Sequence, residues 1–331
     1  MGTVALSRFA LTISAAAALL AACGGSQPPI GALGAMPQSH AAATATHAKR
    51  GGSWMLPEAK GDDLLYASQW DGAVLVFSYP ALKLVGELTG FSNPDGICVD
   101  EASNVWIVDA WHAKLVEYAH GGDAPIKTVH WKGGGLARGC AIDPATGNLA
   151  LTGDSFLAVF PNEKGPPTTY TLASAWDGLN YGTYDNAGNF FAVGVNRGGQ
   201  VELAELPSGG SNVETVLFND DISATTAQWD GQNLIVGGEA ERGQPIYLYQ
   251  VSVSGSQATI TSTIVLKRRN SRLKQTGQFA LQGNRVIEGM SGRRNLGLWR
   301  YPQGGELKDV YGNFDFRNGM AVSTAAGNKN R

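Results

Sequence analysis

Asp95, in Pro94-Asp95-Gly96, and Asn318, in Asn318-Gly319, occupy the same point of a sequence unit that recurs along the chain, and the equivalent positions of the other copies hold Arg138, Asn180, Thr225 and Gly277. A carboxylate and amide oxygens converging on one point are hard donors of the kind Ca²⁺ or Mg²⁺ prefers. Asp95, Asn180 and Asn318 carry such donors. Arg138 opposes that chemistry, because as the neighbour of Asp95 its guanidinium would pair with the carboxylate and repel a cation. Other chemistries lack their parts. His40 and His47 lie where no core can form, and His112, His120 and His130 have no metal-ligand spacing. There is no Gly-x-Ser-x-Gly elbow, phosphate loop or catalytic triad pattern. The expectation is no catalytic residue and no cofactor, with calcium or another divalent cation as the alternative.

Recognition suits the remaining residues better. Trp70 and Trp111 fall in hairpin loops on the same side as Asp95, and Trp131 and Trp176 fall near connections between units. Exposed indoles stack on sugar rings or anchor protein partners; the alternative is that they wedge between sheets. The inserted run Lys267-Arg268-Arg269-Asn270-Ser271-Arg272-Leu273-Lys274 is basic, and Arg293-Arg294 joins it, whereas Asp95, Asp109, Asp154, Asp177, Asp220 and Asp221 lie elsewhere in the chain. Such a charge dipole across one face would orient an anionic or zwitterionic partner, the alternative being solvated loops. The ligand-binding candidates are thus Asp95, Arg138, Asn180, Asn318, Trp70, Trp111, Arg268, Arg269, Arg272, Arg293 and Arg294.

What positions these residues is the repeat itself. Gly96-Ile-Cys-Val-Asp100 is followed by Asn104-Val-Trp-Ile-Val-Asp109 and Leu115-Val-Glu-Tyr118. The pattern returns at Gly139-Cys-Ala-Ile-Asp143, Tyr181-Gly-Thr-Tyr-Asp185, Thr226-Ala-Gln-Trp-Asp230, Gln278-Phe-Ala-Leu-Gln282 and Gly319-Met-Ala-Val-Ser323. Landmarks at 100, 143, 185, 230, 282 and 323 are spaced by 43, 42, 45, 52 and 41 residues. Each unit holds three or four short β runs parted by turn residues, and Asp-Gly at 71–72 and 230–231 suits tight hairpins. With 44 glycines in 331 residues, the composition also argues against helical bundles and membrane-spanning helices. The fold expected is all-β, a six-bladed β-propeller over residues 61–325. The last copy lacks its later strands and the first folded segment, Asp63-Leu-Leu-Tyr-Ala67 onward, supplies them, so N- and C-terminal strands pair to close the ring.

The stretch from Pro94 through Asp109 to Tyr118 resembles NHL-repeat propellers and the gluconolactonase or regucalcin-like group. That resemblance implies a divalent cation at the channel mouth, held by the Asp of a Pro-Asp-Gly and the Asn of an Asn-Gly, which makes Asp95 and Asn318, with Asn180 of the same series, the candidate metal ligands. The family's acidic Glu-Gly-Pro segment has no counterpart in this chain.

Cys98 and Cys140 lie in the first strands of neighbouring units, one register step apart, so their side chains face each other across the interface. A disulfide is expected; the alternative is two buried thiols acting as small hydrophobes. The third cysteine belongs to an address. Arg8 precedes an apolar run from Phe9 to Ala22, and Leu20-Ala21-Ala22-Cys23 resembles the bacterial lipobox, which implies a signal peptide over 1–22 and a lipid on Cys23. Residues 23–60 read as a flexible tether and 326–331 as a tail. A formal charge of −3 gives no basic surplus for nucleic acid. The expected function is non-catalytic recognition of a protein or glycan by a monomeric, lipid-anchored envelope protein, at the outer membrane or cell surface. The alternatives are a divalent-metal-dependent, lactonase-like hydrolase with its site at the channel mouth, or a scaffold subunit.

Overall fold

The computed structural model describes residues 51–173, 175–240, 244–268, 277–290, 295–312 and 316–327. Cys23, with the signal peptide and most of the tether, lies outside them, as do Arg269, Arg272, Arg293 and Arg294. Strands β1 (Trp54–Met55), β2 (Asp63–Gln69), β3 (Val74–Tyr79) and β4 (Lys83–Leu88) begin an antiparallel series. There follow β5 (Pro94–Val99), β6 (Val105–Asp109), β7 (Lys114–Tyr118) and β8 (Pro125–His130), then β9 (Ala137–Ile142), β10 (Leu149–Gly153), β11 (Phe156–Phe160) and β12 (Thr168–Thr171). Next come β13 (Trp176–Tyr184), β14 (Phe190–Asn196), β15 (Val201–Leu206) and β16 (Glu214–Phe218), and then β17 (Ala224–Trp229), β18 (Leu234–Gly238), β19 (Ile246–Ser254) and β20 (Gln257–Lys267). The last are β21 (Ala280–Gln282), β22 (Arg285–Met290), β23 (Asn295–Arg300), β24 (Gly304–Gly312) and β25 (Phe316–Ser323). The chain is all-β. Among the described residues no helix is long and apolar enough to cross a membrane.

Within each unit successive strands pair antiparallel, and short parallel pairings link the strands of β13–β16 to β17–β20 and of β17–β20 to β21–β24. The first unit combines both ends of the folded chain: β25 pairs with β2, Leu64 opposite Ser323 and Ala67 opposite Met320. Burial explains the strand compositions. Second strands such as β6, β10 and β18 are buried at every residue, since both faces are covered by neighbouring sheets, and they read as near-continuous apolar runs. Outer strands such as β8 alternate between exposed and half-buried. Each of the six buried apolar clusters draws on two adjacent units. One, for example, joins Trp106, Val108 and Leu115 to Leu149, Leu151 and Phe156, and another joins Leu65, Leu75 and Phe77 to Ile287, Leu296 and Leu298.

The landmark aspartates turn out to be turn caps. Asp100 accepts from the Asn104 backbone N–H at 2.7 Å and from its amide at 2.9 Å, Asp185 repeats the pattern with Asn189, and Asp230 holds the Asn233 backbone N–H at 2.6 Å. A short side chain that bonds the backbone a few residues on stabilises a turn between first and second strands, which is why Asp recurs there. Gly72 and Gly231 adopt φ of 86° and 98°, as the two Asp-Gly turns demand.

The tether is shorter than the composition suggests. β1 adds a fifth strand to the first unit, Trp54 opposite Glu87 and Met55 opposite Gly86, and a 3₁₀ turn over Pro57–Lys60 buries Ala59 completely. Residues 54–60 therefore belong to the folded body rather than to a flexible linker. Cys98 and Cys140 form a disulfide with a Cα–Cα separation of 5.6 Å, joining β5 to β9.

Candidate functional site

The first strands of the six units, β25, β5, β9, β13, β17 and β21, all contribute residues to one central cavity of about 190 Å³. At the end where these strands begin, their backbones crowd together. A Cβ on Gly319 would lie 1.7 Å from the Asp95 carbonyl oxygen, one on Gly96 2.6 Å from that of Arg138, and one on Gly139 2.8 Å from that of Asn180. The backbones at 318–319, 95–96, 138–139 and 180 thus lie side by side in that order, each glycine giving the next strand room to pass.

Where the position after the mouth residue is not glycine, its side chain spans the space. Tyr181 donates its hydroxyl to Asp95 Oδ1 at 2.6 Å, reaching from the fourth unit to the second. Gln278 accepts from the Ile97 and Met320 backbone N–H groups, each at 3.2 Å, and donates to the Ile97 carbonyl at 2.9 Å. Thr226 donates to the Gly277 carbonyl at 2.9 Å. Asp95, Tyr181, Gln278 and Thr226 are all buried. Three glycines and three polar side chains at one repeat position, visible in the aligned repeats as Gly96, Gly139, Gly319 against Tyr181, Thr226, Gln278, is the signal that would have found this polar plug.

The plug alters the metal reading. Asp95 is 3% exposed and bonded by Tyr181, rather than open at the mouth. Arg138 directs its guanidinium to Asp154 of its own unit at 2.8 Å, not to Asp95 as its place in the series suggested. The Asn180 carbonyl accepts from Thr152 Oγ1. The side chain of Asn318 lies outside the described residues, so the candidate triad of ligands is not assembled by what is described. Elsewhere, Asp100, Glu117 and Glu163 bring one carboxylate oxygen each within 4.8 Å of one another. The Lys127 ammonium stands among them, 3.8 Å from Glu163 Oε2 and over the Trp106 ring at 4.8 Å, so this cluster already has a cation. Burial, then the neighbouring charge of Glu163, raises the Glu117 carboxyl above the usual glutamate value.

Around the mouth the tryptophans divide. Trp131 is buried, stacked on Phe156 at 4.3 Å between centroids, and Trp176 is buried with its N–H on Thr215 Oγ1. Trp70 and Trp111 are 59% and 67% exposed. Their hairpins lean on one loop: Gly72 approaches the Phe91 carbonyl, and the Ala110 N–H donates to Asn93 O at 3.0 Å. That loop is held by Asp109, fully buried, which accepts from the Ser92 and Asn93 N–H groups, from His112 Nδ1 at 2.8 Å and, as an ion pair, from Lys114 at 3.4 Å. Asn93, 2% exposed, keeps its Oδ1 without a hydrogen-bond partner among the described residues. Asp109 was legible only as one acid among several; its structural role needed the loop beside it. Arg268, half-buried, turns its guanidinium to the Gln244 carbonyl, with its Nε at 2.8 Å.

Against known proteins, no family model matches the sequence, and no curated protein matches it. Solved structures do match in fold. A chain of the nidogen/laminin complex is 12% identical, with a TM-score of 0.63 over 80% of this chain and 99% of that one. A protein of unknown function from Bacteroides caccae is 11% identical, with a TM-score of 0.59 over 80% and 99%. The β-propeller domain of Cps50 (Swd1) from Myceliophteria thermophila is 14% identical, with a TM-score of 0.54 over 82% and 88%. Identities this low show a propeller-like fold and nothing about ligands.

Proposed function

We propose that this chain is a six-bladed propeller, lipid-anchored through Cys23 at the bacterial envelope, whose mouth-side face binds a partner without chemistry of its own. Six clusters each shared by two units, and the pairing of β25 with β2, support six blades in a closed ring. The observation that carries the functional reading is the pair of exposed indoles, Trp70 and Trp111, on hairpins braced against the same loop. Support of the hairpins matters, because a loop already held in its bound geometry loses little freedom on binding. The only other exposed large hydrophobic residues among those described are Ile126 and Leu217. Two exposed indoles on a surface otherwise poor in exposed large hydrophobic side chains among the described residues suit sugar rings better than a protein hot spot, which needs an apolar surround. A glycan is therefore the preferred partner and a protein surface the second. The burial of Asp95 under Tyr181 supports this over the lactonase-like alternative.

The test is a Trp70→Ala/Trp111→Ala variant assayed against envelope glycans and against a cross-linked envelope extract. Because both residues are exposed, stability should change by no more than about 1 kcal/mol for the two substitutions together, while glycan retention falls more than tenfold. Undiminished retention of every ligand by the double variant refutes the assignment. Calcium binding that is lost in Asp95→Ala would restore the hydrolase reading.

A further inference from the structure

A second recognition feature lies at the opposite end of the first strands, between the fourth unit (β13–β16) and the fifth (β17–β20). A cleft of about 500 Å³ opens there, walled by Phe191, Glu205 and Glu214 on one side and Trp229, Val251 and Val253 on the other. This volume is within the range of small-molecule sites.

The wall breaks the pattern of its own sheet. One cross-strand row, Val193–Leu203–Val216, is wholly apolar and fully buried against the next unit. The next row on the same face is Phe191–Glu205–Glu214. Two carboxylates directly opposite each other in an antiparallel ladder repel, where a second apolar pair would have closed the interface. Carboxylates by themselves define no site, but these two line a cavity beside a fully buried apolar row, Glu205 half-buried and Glu214 at its exposed rim, with an oriented aromatic ring on the opposite wall. No described Lys or Arg side chain forms an ion pair with either one or lines the cleft. The chain around them offers little compensation: from 198 to 266 there are eight acidic residues and one basic residue, Arg242. Burial, followed by the charges of Glu214 and Asp185, holds the Glu205 carboxyl above the ordinary glutamate value. The opposite wall supplies an aromatic face. Trp229 is fixed by its N–H bond to Asn186 Oδ1 at 2.8 Å, so the indole is already oriented. An acidic pair facing an aromatic ring in a cleft surrounded by negative field attracts a positive charge with an organic body, through Coulomb and cation–π terms together.

We propose that this cleft binds a small organic cation, an ammonium or guanidinium compound, with Glu205 and Glu214 as counter-charges and Trp229 as the stacking face. It is independent of the mouth-side reading. The test uses the full chain at low ionic strength, with spermidine and arginine amide as probes in titration calorimetry and thermal melting, and calcium chloride as a comparison. At least one organic probe should bind and raise the melting temperature more than calcium does at equal concentration. Glu205→Gln/Glu214→Gln should weaken that binding at least tenfold while melting no lower than the wild type, because a repelling pair has been removed. That combination separates a binding role from a folding role. Glu214→Gln alone, at the exposed rim, gives a milder variant should the double one fail to fold, and Trp70→Ala/Trp111→Ala should bind the probes normally. Equal binding by wild type and the Gln variants, binding by calcium alone, or no binding of either organic probe overturns the assignment.

Discussion

The disulfide between Cys98 and Cys140 offers the most quantitative check on how neighbouring units are joined. The bridge closes a loop with a sequence separation of 42 residues. In the chain-entropy account, a loop of about 43 residues removes roughly 13 cal/mol/K from the unfolded ensemble, or about 4 kcal/mol at room temperature. Unfolding a body of about 270 residues releases roughly 0.6 kcal/mol/K near its midpoint, so losing the cross-link should lower the melting temperature by about 7 °C. The cleanest perturbation is reduction of the wild type, which keeps both sulfur atoms in the packed interface and removes only the covalent link. Cys98→Ala/Cys140→Ala should fall at least as far, since it also deletes buried volume beside Trp106 and Leu151. The assay is calorimetry with and without reductant, accompanied by alkylation of denatured protein to count thiols. Coincident melts of the reduced and oxidised forms, or two alkylated thiols at 98 and 140 without reductant, would refute the reasoning.

Other substitutions probe the mouth and the interior. Tyr181→Phe removes the hydroxyl that Asp95 accepts from and should cost about 2 kcal/mol, read as a lower urea midpoint at unchanged slope. An unchanged midpoint would mean that the plug does not brace the ring. Gly319→Ala places a Cβ 1.7 Å from a backbone oxygen of Asp95, with nothing flexible to yield, and should cost about 3 kcal/mol or prevent folding. Gly52→Ala, with nothing within 4 Å, should be silent. Glu288 is fully buried, has neither oxygen hydrogen-bonded among the described residues, and its carboxyl is raised well above 4.5 by burial, with Arg268 only partly offsetting this. The folded state therefore holds a proton that the unfolded state releases, so stability falls as pH rises from the ordinary glutamate range through the raised value. Glu288→Gln should be more stable than wild type at neutral pH and lose that part of the pH slope. A Gln variant with the wild-type pH profile would show that the group is ionised throughout.

Much of the architecture was readable before any coordinates, because its causes are local. Short apolar runs at a period of about 43 residues, ended by an Asp that caps its own turn, specify a four-stranded sheet wherever they occur. The incomplete last copy and the surplus first strands could satisfy their backbone hydrogen bonds only by pairing with each other. The one-step offset of Cys98 and Cys140 followed from strand alternation. The side-chain partners at the mouth were not readable in this way. Arg138 chose Asp154, sixteen positions on, and Asp95 took the hydroxyl of Tyr181, eighty-six positions on. Which of these forms depends on the width of the space between six converging strands, a distance that no repeat unit encodes alone. The repeat set Trp70 and Trp111 in hairpin loops and Trp131 and Trp176 near connections between units, but left open for each whether it stands out or wedges between sheets; the finished packing left the first pair exposed and buried the second. Residues 54–60 looked like linker because two paired residues carry no periodic signal, and the open edge of β4 decided their place. The acidic cleft has the same origin, since Glu205 is an ordinary alternating strand residue until the neighbouring sheet arrives opposite it. Local periodicity thus determined the strands, their turns and the seam, whereas contacts between units, which require every sheet to be in position first, decided what the surfaces between and above them can bind.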